Sequence, residues 1–390
     1  MKIKIHKSLI IYSCFSTGSL LAETTDKKAT PLTIEINKGV SEKSLLETTS
    51  SIFHQTENHI DDEFIRGFSA NNNQEISEYL PSVQVDRLGA GTGEDYNIRG
   101  FNTGGRVLLD GILDNQNFYV RDAATYERAI FVKGHNSVLY GAGALGGSVN
   151  FISKKPLYSH QSEITAGAGS HDLQRIVLDT TRPLSDSGDT AFRNIVVIQN
   201  ADTWKQNVSN DQLIVLNSLA HRSDSGEWLA TWEFSEQSYP YDFDNVYANG
   251  QPVYDVSYVH PDSSAKRKFN RFDISWDGQL TAGVNLNTIL RHIEGNRDEW
   301  QIGFYYMRSE DQPLVGFYQE VDERFKQTTA RAALHFQYDL GTLAAETTVG
   351  AALHQTRSFA DNERAVGTFS LDIYQPDFNI VLPSAAQLQP

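Results

Sequence analysis

Val132-Lys-Gly-His-Asn-Ser-Val-Leu-Tyr140-Gly-Ala-Gly-Ala-Leu-Gly146-Gly-Ser-Val-Asn-Phe-Ile152 is a glycine-dense run on which the reading of the fold turns. Gly141, Gly143 and Gly146 match the G-x-G-x-x-G spacing of dinucleotide-binding loops. That spacing cradles a pyrophosphate only where the glycines open a helix whose N-terminus faces the phosphates. Here Val149–Ile152 follows, a β-prone run stopped by Lys154-Lys155-Pro156. The run reads as a strand, and nucleotide binding is set aside. Glycines at 134, 141, 143, 146 and 147 permit positive φ and close backbone approach, which a compact β-rich globule needs.

Outward from this run, residues 61–156 hold short elements. A brief helix fits Gln74–Leu80: Asn72 or Asn73 can cap it, Ile76, Tyr79 and Leu80 share a face, and Pro81 follows. Val83–Val85 and Val107–Leu109 read as strands, the second ending at the turn pair Asp110-Gly111. Past Pro156 the texture changes to longer alternating runs. Trp228, Ala230, Trp232 and Phe234 oppose Glu227, Thr231 and Glu233, while Phe272, Ile274 and Trp276 alternate with Arg271, Asp273, Ser275 and Asp277. Ala332, Leu334, Phe336 and Tyr338 repeat the pattern, as do Leu343, Ala345, Val349, Ala351 and Leu353. Period two with one apolar and one polar face means a sheet with two unlike sides. Segments of roughly 10 residues separated by turns are the signature of an outer-membrane barrel. Periodicity leaves a soluble β-sandwich open beside it.

Composition narrows the classes. Of 390 residues, 33 are Lys or Arg and 49 Asp or Glu, a formal net charge of −16 that disfavours a nucleic-acid binder. Hydrophobic residues make up 39% and the mean hydropathy is −0.41, which excludes a helical membrane protein. Aromatic residues at 11% with 28 glycines suit many strands. Residues 1–22 read as a signal peptide: Lys2, Lys4 and Lys7, then an apolar run from Ser8 to Leu21, with Ala22 before the cleavage point. The single cysteine, Cys14, lies within it, so the exported chain has no thiol chemistry. No H-E-x-x-H or G-x-S-x-G appears, and nothing nominates an enzyme or a metal site.

Asn97-Ile-Arg99-Gly-Phe, Val107-Leu-Leu-Asp110-Gly, Glu127-Arg128, Val132-Lys133-Gly134, Ser137-Val-Leu-Tyr140-Gly, Gly146-Gly-Ser-Val-Asn150 and Lys154-Lys-Pro156 follow one another in order and spacing. Together they resemble the plug of a TonB-dependent outer-membrane receptor. Gly169-Ser170, Arg175, Asp179 and Pro183-Leu184 resemble the first barrel hairpin of the siderophore-receptor branch, and residues 325–356 a later one. Three turns depart from the pattern: His135 stands where proline is usual, and Ser82 and Arg182 where glycine is usual.

The resemblance implies an all-β protein with a small α+β plug, the plug followed by an incomplete antiparallel outer-membrane barrel. It implies the divisions 1–22 signal peptide, 23–60 periplasmic tail, 61–156 plug and 157–390 the N-terminal part of the barrel. The implied activity is import of a ferric siderophore of the ferrichrome, hydroxamate type, carried as cargo with no cofactor. The implied partners are TonB with its inner-membrane energising complex and outer-membrane lipid of a Gram-negative bacterium. By the same resemblance Arg99 and Lys133 pair with barrel-wall glutamates, and Arg87, Gly104 and Tyr119 meet the chelate. Pro31-Leu32-Thr33-Ile34-Glu35-Ile36 alternates apolar and polar residues in a polar tail, so it can add as a strand to a partner's sheet, and it resembles the TonB box. The competing expectation is a secreted, soluble β-rich ligand- or sugar-binding protein. After Pro156 the chain has room for about 10 strands, whereas a plugged transporter has about 22. The expectation is therefore the N-terminal part of a receptor.

Overall fold

A computed structural model describes residues 4–17, 56–88, 93–103, 107–114, 120–133, 146–240, 247–248, 251–253, 256–307, 314–341 and 343–379. After β1 (Lys4–Thr17), the plug runs β2 (Thr56–Asp61), α1 (Asp62–Gly67), α2 (Asn73–Ser77), β3 (Val83–Leu88), β4 (Gly93–Ile98) and β5 (Phe101–Asn102). It continues through β6 (Val107–Leu109), β7 (Ile112–Asp114), β8 (Tyr126–Lys133) and β9 (Gly147–Ser153). These strands form a five-stranded sheet, β2-β8-β9-β6-β7, and a three-stranded one, β3-β4-β5. One core serves both: Ile60, Ile65, Ile76, Tyr96, Ile98, Val107, Leu109, Phe131 and Val149 pack around Tyr126 and Phe151. The rings of Tyr126 and Phe151 stack with centroids 4.5 Å apart.

Local chemistry sets the short elements. Asn72 caps α2 by accepting from the Glu75 amide at 3.0 Å, and its own amide donates to the Glu75 carboxylate at 2.7 Å. The helix ends at Ser77, three residues short of the expected Leu80, and closes with a Leu80 N–H to Ser77 carbonyl turn ahead of Pro81. Helix α1 was not legible, because one buried residue, Ile65, in six gives no period. Asp110 and Gly111, at φ 53° and 71°, make the two-residue turn between β6 and β7. At Gly147 φ is 152°, and a Cβ would lie 2.1 Å from the Val132 carbonyl oxygen, so only glycine lets β8 and β9 close there.

The wall follows: β10 (Gln161–Ala168), β11 (Gln174–Pro183), β12 (Thr190–Asn200), β13 (Asp211–Ser223) and β14 (Gly226–Ser238). A small hairpin, β15 (Tyr247–Ala248) and β16 (Gln251–Pro252), precedes β17 (Ser264–Thr281), β18 (Val284–Met307), β19 (Leu314–Leu340) and β20 (Leu343–Leu371). The order β20-β19-β18-β17-β14-β13-β12-β11-β10 is an antiparallel meander, open between its ends. β18 to β20 hold 24, 27 and 29 residues, well beyond the roughly 9–11 that cross a bilayer. β1 pairs antiparallel with β20, from Lys4 opposite Ser358 to Thr17 opposite Ala345. The segment read as a signal peptide thus occupies the sheet edge here, where unpaired backbone groups accept an extended β-prone run.

The two faces of the wall differ as the alternation required, with burial reversed from a soluble sheet. Trp228, Trp232, Phe272, Ile274, Leu290 and Leu353 are exposed on the outside. Glu233, Arg271, Arg291 and Thr329, on the polar face, are buried against the plug. Such an exposed apolar face suits lipid as its solvent, not water.

Candidate functional site: the plug–wall interface

The turn residue Asp110 is the centre of the contact. Its Oδ1 accepts from the Ser153 amide at 2.8 Å and its Oδ2 from the Ser153 hydroxyl at 2.9 Å, inside the plug. From the wall, Arg291 reaches the same Oδ2 at 3.2 Å and Arg271 at 3.5 Å. Arg291 also donates to the Leu109 carbonyl at 2.9 Å, Arg331 to the Gly111 carbonyl at 2.7 Å, and Gln327 to the Leu113 carbonyl at 3.0 Å. β7 is an edge strand, and wall side chains satisfy carbonyls along its hairpin. Burial pushes the Asp110 carboxyl up, but Arg291, Arg271 and the two Ser153 hydrogen bonds outweigh it and hold it below the usual carboxylate range.

Charges alternate across the interface above this hub. Plug Asp114 meets plug Arg121 at 2.6 Å, and Arg121 meets wall Glu233 at 2.7 Å. Glu233 in turn takes wall Arg271 at 2.8 Å, which closes the chain back to Asp110. Asp122 accepts from wall Arg175 at 2.6 Å and wall Gln212 at 2.7 Å. The wall amide of Gln237 accepts from the Val120 N–H at 3.1 Å and donates to the Val120 carbonyl. Taking so many charges out of water is tolerable only because each has an opposite partner.

The segment leaving the plug is fastened too. Lys154 bridges plug Asp62 at 2.8 Å and wall Asp179 at 3.2 Å, and Arg193 donates to the Lys155 carbonyl at 2.9 Å. The Leu157 amide donates to Thr181 at 2.8 Å, and the Tyr158 hydroxyl to Glu227 at 2.8 Å. Between plug and wall at this end lies a cavity of about 120 Å³ lined by Asp110, Arg128, Lys154, Asp273, Asn287 and Arg331. A second, of about 50 Å³, lies by Val120 and is lined by Asn71, Asn72, Gln199, Asn210, Gln212 and Gln237.

The residues named from the sequence fall unevenly. Arg99 is exposed, at φ 53°, its amide donating to the Ser82 carbonyl at 2.9 Å. Lys133 is buried and donates to the Pro81 carbonyl at 2.6 Å. Burial first, and the Arg99 charge second, lower its amine below the ordinary lysine value. Arg99 and Lys133 therefore lie near each other, and among the described residues neither has a wall glutamate. Arg87 lies on β3 with its side chain outside the described residues; Gly104, Tyr119 and the segment Leu32-Thr33-Ile34-Glu35-Ile36 lie outside them altogether. Sequence reasoning passed over Asp110, Arg121, Asp122, Arg175, Glu233, Arg271 and Arg291 as interface residues. Their signal was there: Glu233, Arg271 and Asp273 sit on the polar face of the alternation.

Residues 48–148 match the TonB-dependent Receptor Plug Domain family. The ferripyoverdine receptor of Pseudomonas aeruginosa is 31% identical over 165 residues, 40% of this chain and 19% of that one. The ferrioxamine B receptor of Salmonella typhimurium is 27% identical over 218 residues, 53% of this chain and 30% of that one. Among solved structures, the pyoverdine outer-membrane receptor FpvA of Pseudomonas aeruginosa superposes with a TM-score of 0.72 at 18% identity, over 85% of this chain and 51% of that one. The chain thus spans about half the length of that structure, and less of the curated relatives. A matched plug domain seated on an antiparallel wall, in this order and with this interface, places the chain in the TonB-dependent receptor family.

Proposed function

We propose that the chain forms the plug and adjoining wall of an outer-membrane receptor that imports a ferric siderophore, with energy delivered through TonB. The observation that carries this reading is the plug seated by buried charge pairs on a wall whose outer face is apolar and exposed. A soluble binding protein has no use for that outer face. Relatives named for ferripyoverdine, ferrioxamine B and ferrichrome support a hydroxamate-bearing cargo. Chelate binds above the plug; TonB engages residues 32–36 from the periplasm and pulls; the plug yields a path. Arg87, Gly104 and Tyr119 are the proposed chelate contacts, since a guanidinium and a phenol suit carbonyl and hydroxamate oxygens. Arg99 and Lys133 are a cationic pair awaiting wall carboxylates.

The test is iron-55 uptake in cells stripped of their own receptors and given a full-length receptor carrying these residues. Uptake should need TonB, whereas surface binding should not. Arg87→Ala or Tyr119→Ala should weaken binding about 5- to 150-fold, the worth of one buried hydrogen bond of about 1–3 kcal/mol. Undiminished binding in both variants would reject these contacts, and absence of any uptake would reject the receptor.

A further inference from the structure

Charge is distributed unevenly along the wall. The plug leaves for the wall at Lys154–Tyr158, so the turns at 184–189, 224–225, 282–283 and 341–342 mark the periplasmic end on the receptor reading above. The opposite connections, 169–173, 201–210, 239–263, 308–313 and 372–379, face outward from the cell. They carry ten Asp or Glu against two Lys or Arg, and 239–263 alone has four Asp and no Lys or Arg. Just below them Asp298, Asp322 and Asp361 stand directly opposite one another across β18, β19 and β20. Together with Glu320 they line a cleft of about 320 Å³. Like charges set opposite on neighbouring strands cost stability, so packing gives no reason for the alignment.

The lumen at the plug's apex adds an independent fact. One register row crosses seven strands there: Arg175, Gln199, Gln212, Gln237, Arg267, Arg297 and Glu323. Each arginine of the row already has a carboxylate: Arg175 with Asp122 at 2.6 Å, Arg267 with Glu299 at 2.6 Å, and Arg297 with Glu323 at 3.0 Å. Between them stand three glutamines, and the small cavity beside Val120 is lined largely by amides. Among the described residues the apex thus offers neutral donors and acceptors, with its cations already matched.

We infer that this receptor selects its cargo by charge: it takes neutral or cationic ferric chelates, of the trihydroxamate kind, and turns away polyanionic chelates such as ferric tricatecholates. The outer acids act at a distance as a field and hold no ligand themselves; amides at the apex then meet uncharged carbonyl and hydroxamate oxygens. A negative mouth raises the encounter rate of a cation and lowers that of an anion, and salt erases both effects. A trianionic catecholate would in addition need free cations at the apex, which the matched arginines do not supply.

Association rates of a purified full-length receptor carrying these residues test this with three probes: cationic ferrioxamine B, neutral ferrichrome and a trianionic ferric tricatecholate. Raising salt from about 10 to 150 mM, which shortens the screening length from about 30 to 8 Å, should slow ferrioxamine B about tenfold. Ferrichrome should barely respond. The tricatecholate should bind at least about a hundredfold more weakly than ferrichrome. Combined Asp242→Asn, Asp244→Asn and Asp255→Asn should cut the ferrioxamine B rate at low salt roughly three- to tenfold and leave ferrichrome unchanged. Tricatecholate binding within tenfold of ferrichrome, or an unaltered ferrioxamine B rate in the triple variant, overturns the inference while the receptor reading stands. Failure of all three probes to bind rejects both.

Discussion

Asp110 shows how one turn residue can do two jobs. The φ of 53° favours Asp, Asn or Gly, and the sequence reading took Asp110-Gly111 for a turn and stopped there. A carboxylate was needed for a reason two hundred residues away: Arg271 and Arg291 converge on it from the wall. No local pattern encodes that meeting, although the polar face carrying Arg271 was legible. Asp110→Asn keeps the turn but leaves two buried guanidiniums short of charge, and should weaken plug seating by about 3–5 kcal/mol. Urea-induced release of the plug, followed by protease sensitivity, would measure it; an unchanged midpoint would strip the hub of its role. Because the native Asp110 pKa is depressed, its contribution is fully present above the unfolded value of about 3.9 and fades only as pH falls through the lower folded value. Plug seating should therefore be flat from pH 8 to pH 5 and loosen below about pH 4. Ser82, noted as an odd replacement for glycine, proves to sit at φ 65°. Ser82→Gly should raise plug stability by about 1 kcal/mol, read as a higher melting temperature.

At the scale of elements, strands were easier to read than the helices. Val107–Leu109 has the extent expected, and Val149–Ile152 lies within β9, because β-branched and aromatic runs bounded by Gly, Asp and Pro have few alternatives. The six-residue α1 was missed because its cap, Asp61 accepting from the Phe64 amide at 2.9 Å, decides it more than any periodicity. The plug's first strand, Thr56–Asp61, also begins inside the stretch 23–60 read as a tail. The proposed TonB-contacting strand, 32–36, belongs to this scale. Ile34→Pro removes one amide donor and should stop strand addition to TonB. In a full-length receptor, iron uptake should then vanish while chelate still binds the cell surface. If uptake persists, the contacting segment lies elsewhere.

For the whole molecule, the alternating faces announced an unlike-sided sheet but could not say which side would be wet. The plug decides it: polar residues at 231, 233, 271, 273 and 291 are covered because a folded domain lies on them, and tryptophans face out. The match between 48–148 and the plug family, with a wall of nine successive strands after it, agrees with the architecture expected from the resemblance. Export supplies the prediction at this scale. N-terminal sequencing of protein recovered from the outer membrane should begin at Glu23, removing the strand that pairs with β20. Recovery of Met1 in that fraction would sink the leader reading.

The fastening of residues 154–158 to β11, β12 and β14 bears on what happens after a transport cycle. A plug drawn partly away remains leashed, by a segment gripped at its root, to the surface it left. Its return is then an intramolecular search within a few nanometres, at an effective concentration on the order of millimolar. Resealing should follow first-order kinetics, indifferent to how many receptors share the membrane. Each open state closes on its own clock, and a cell can carry many such gates without a standing leak.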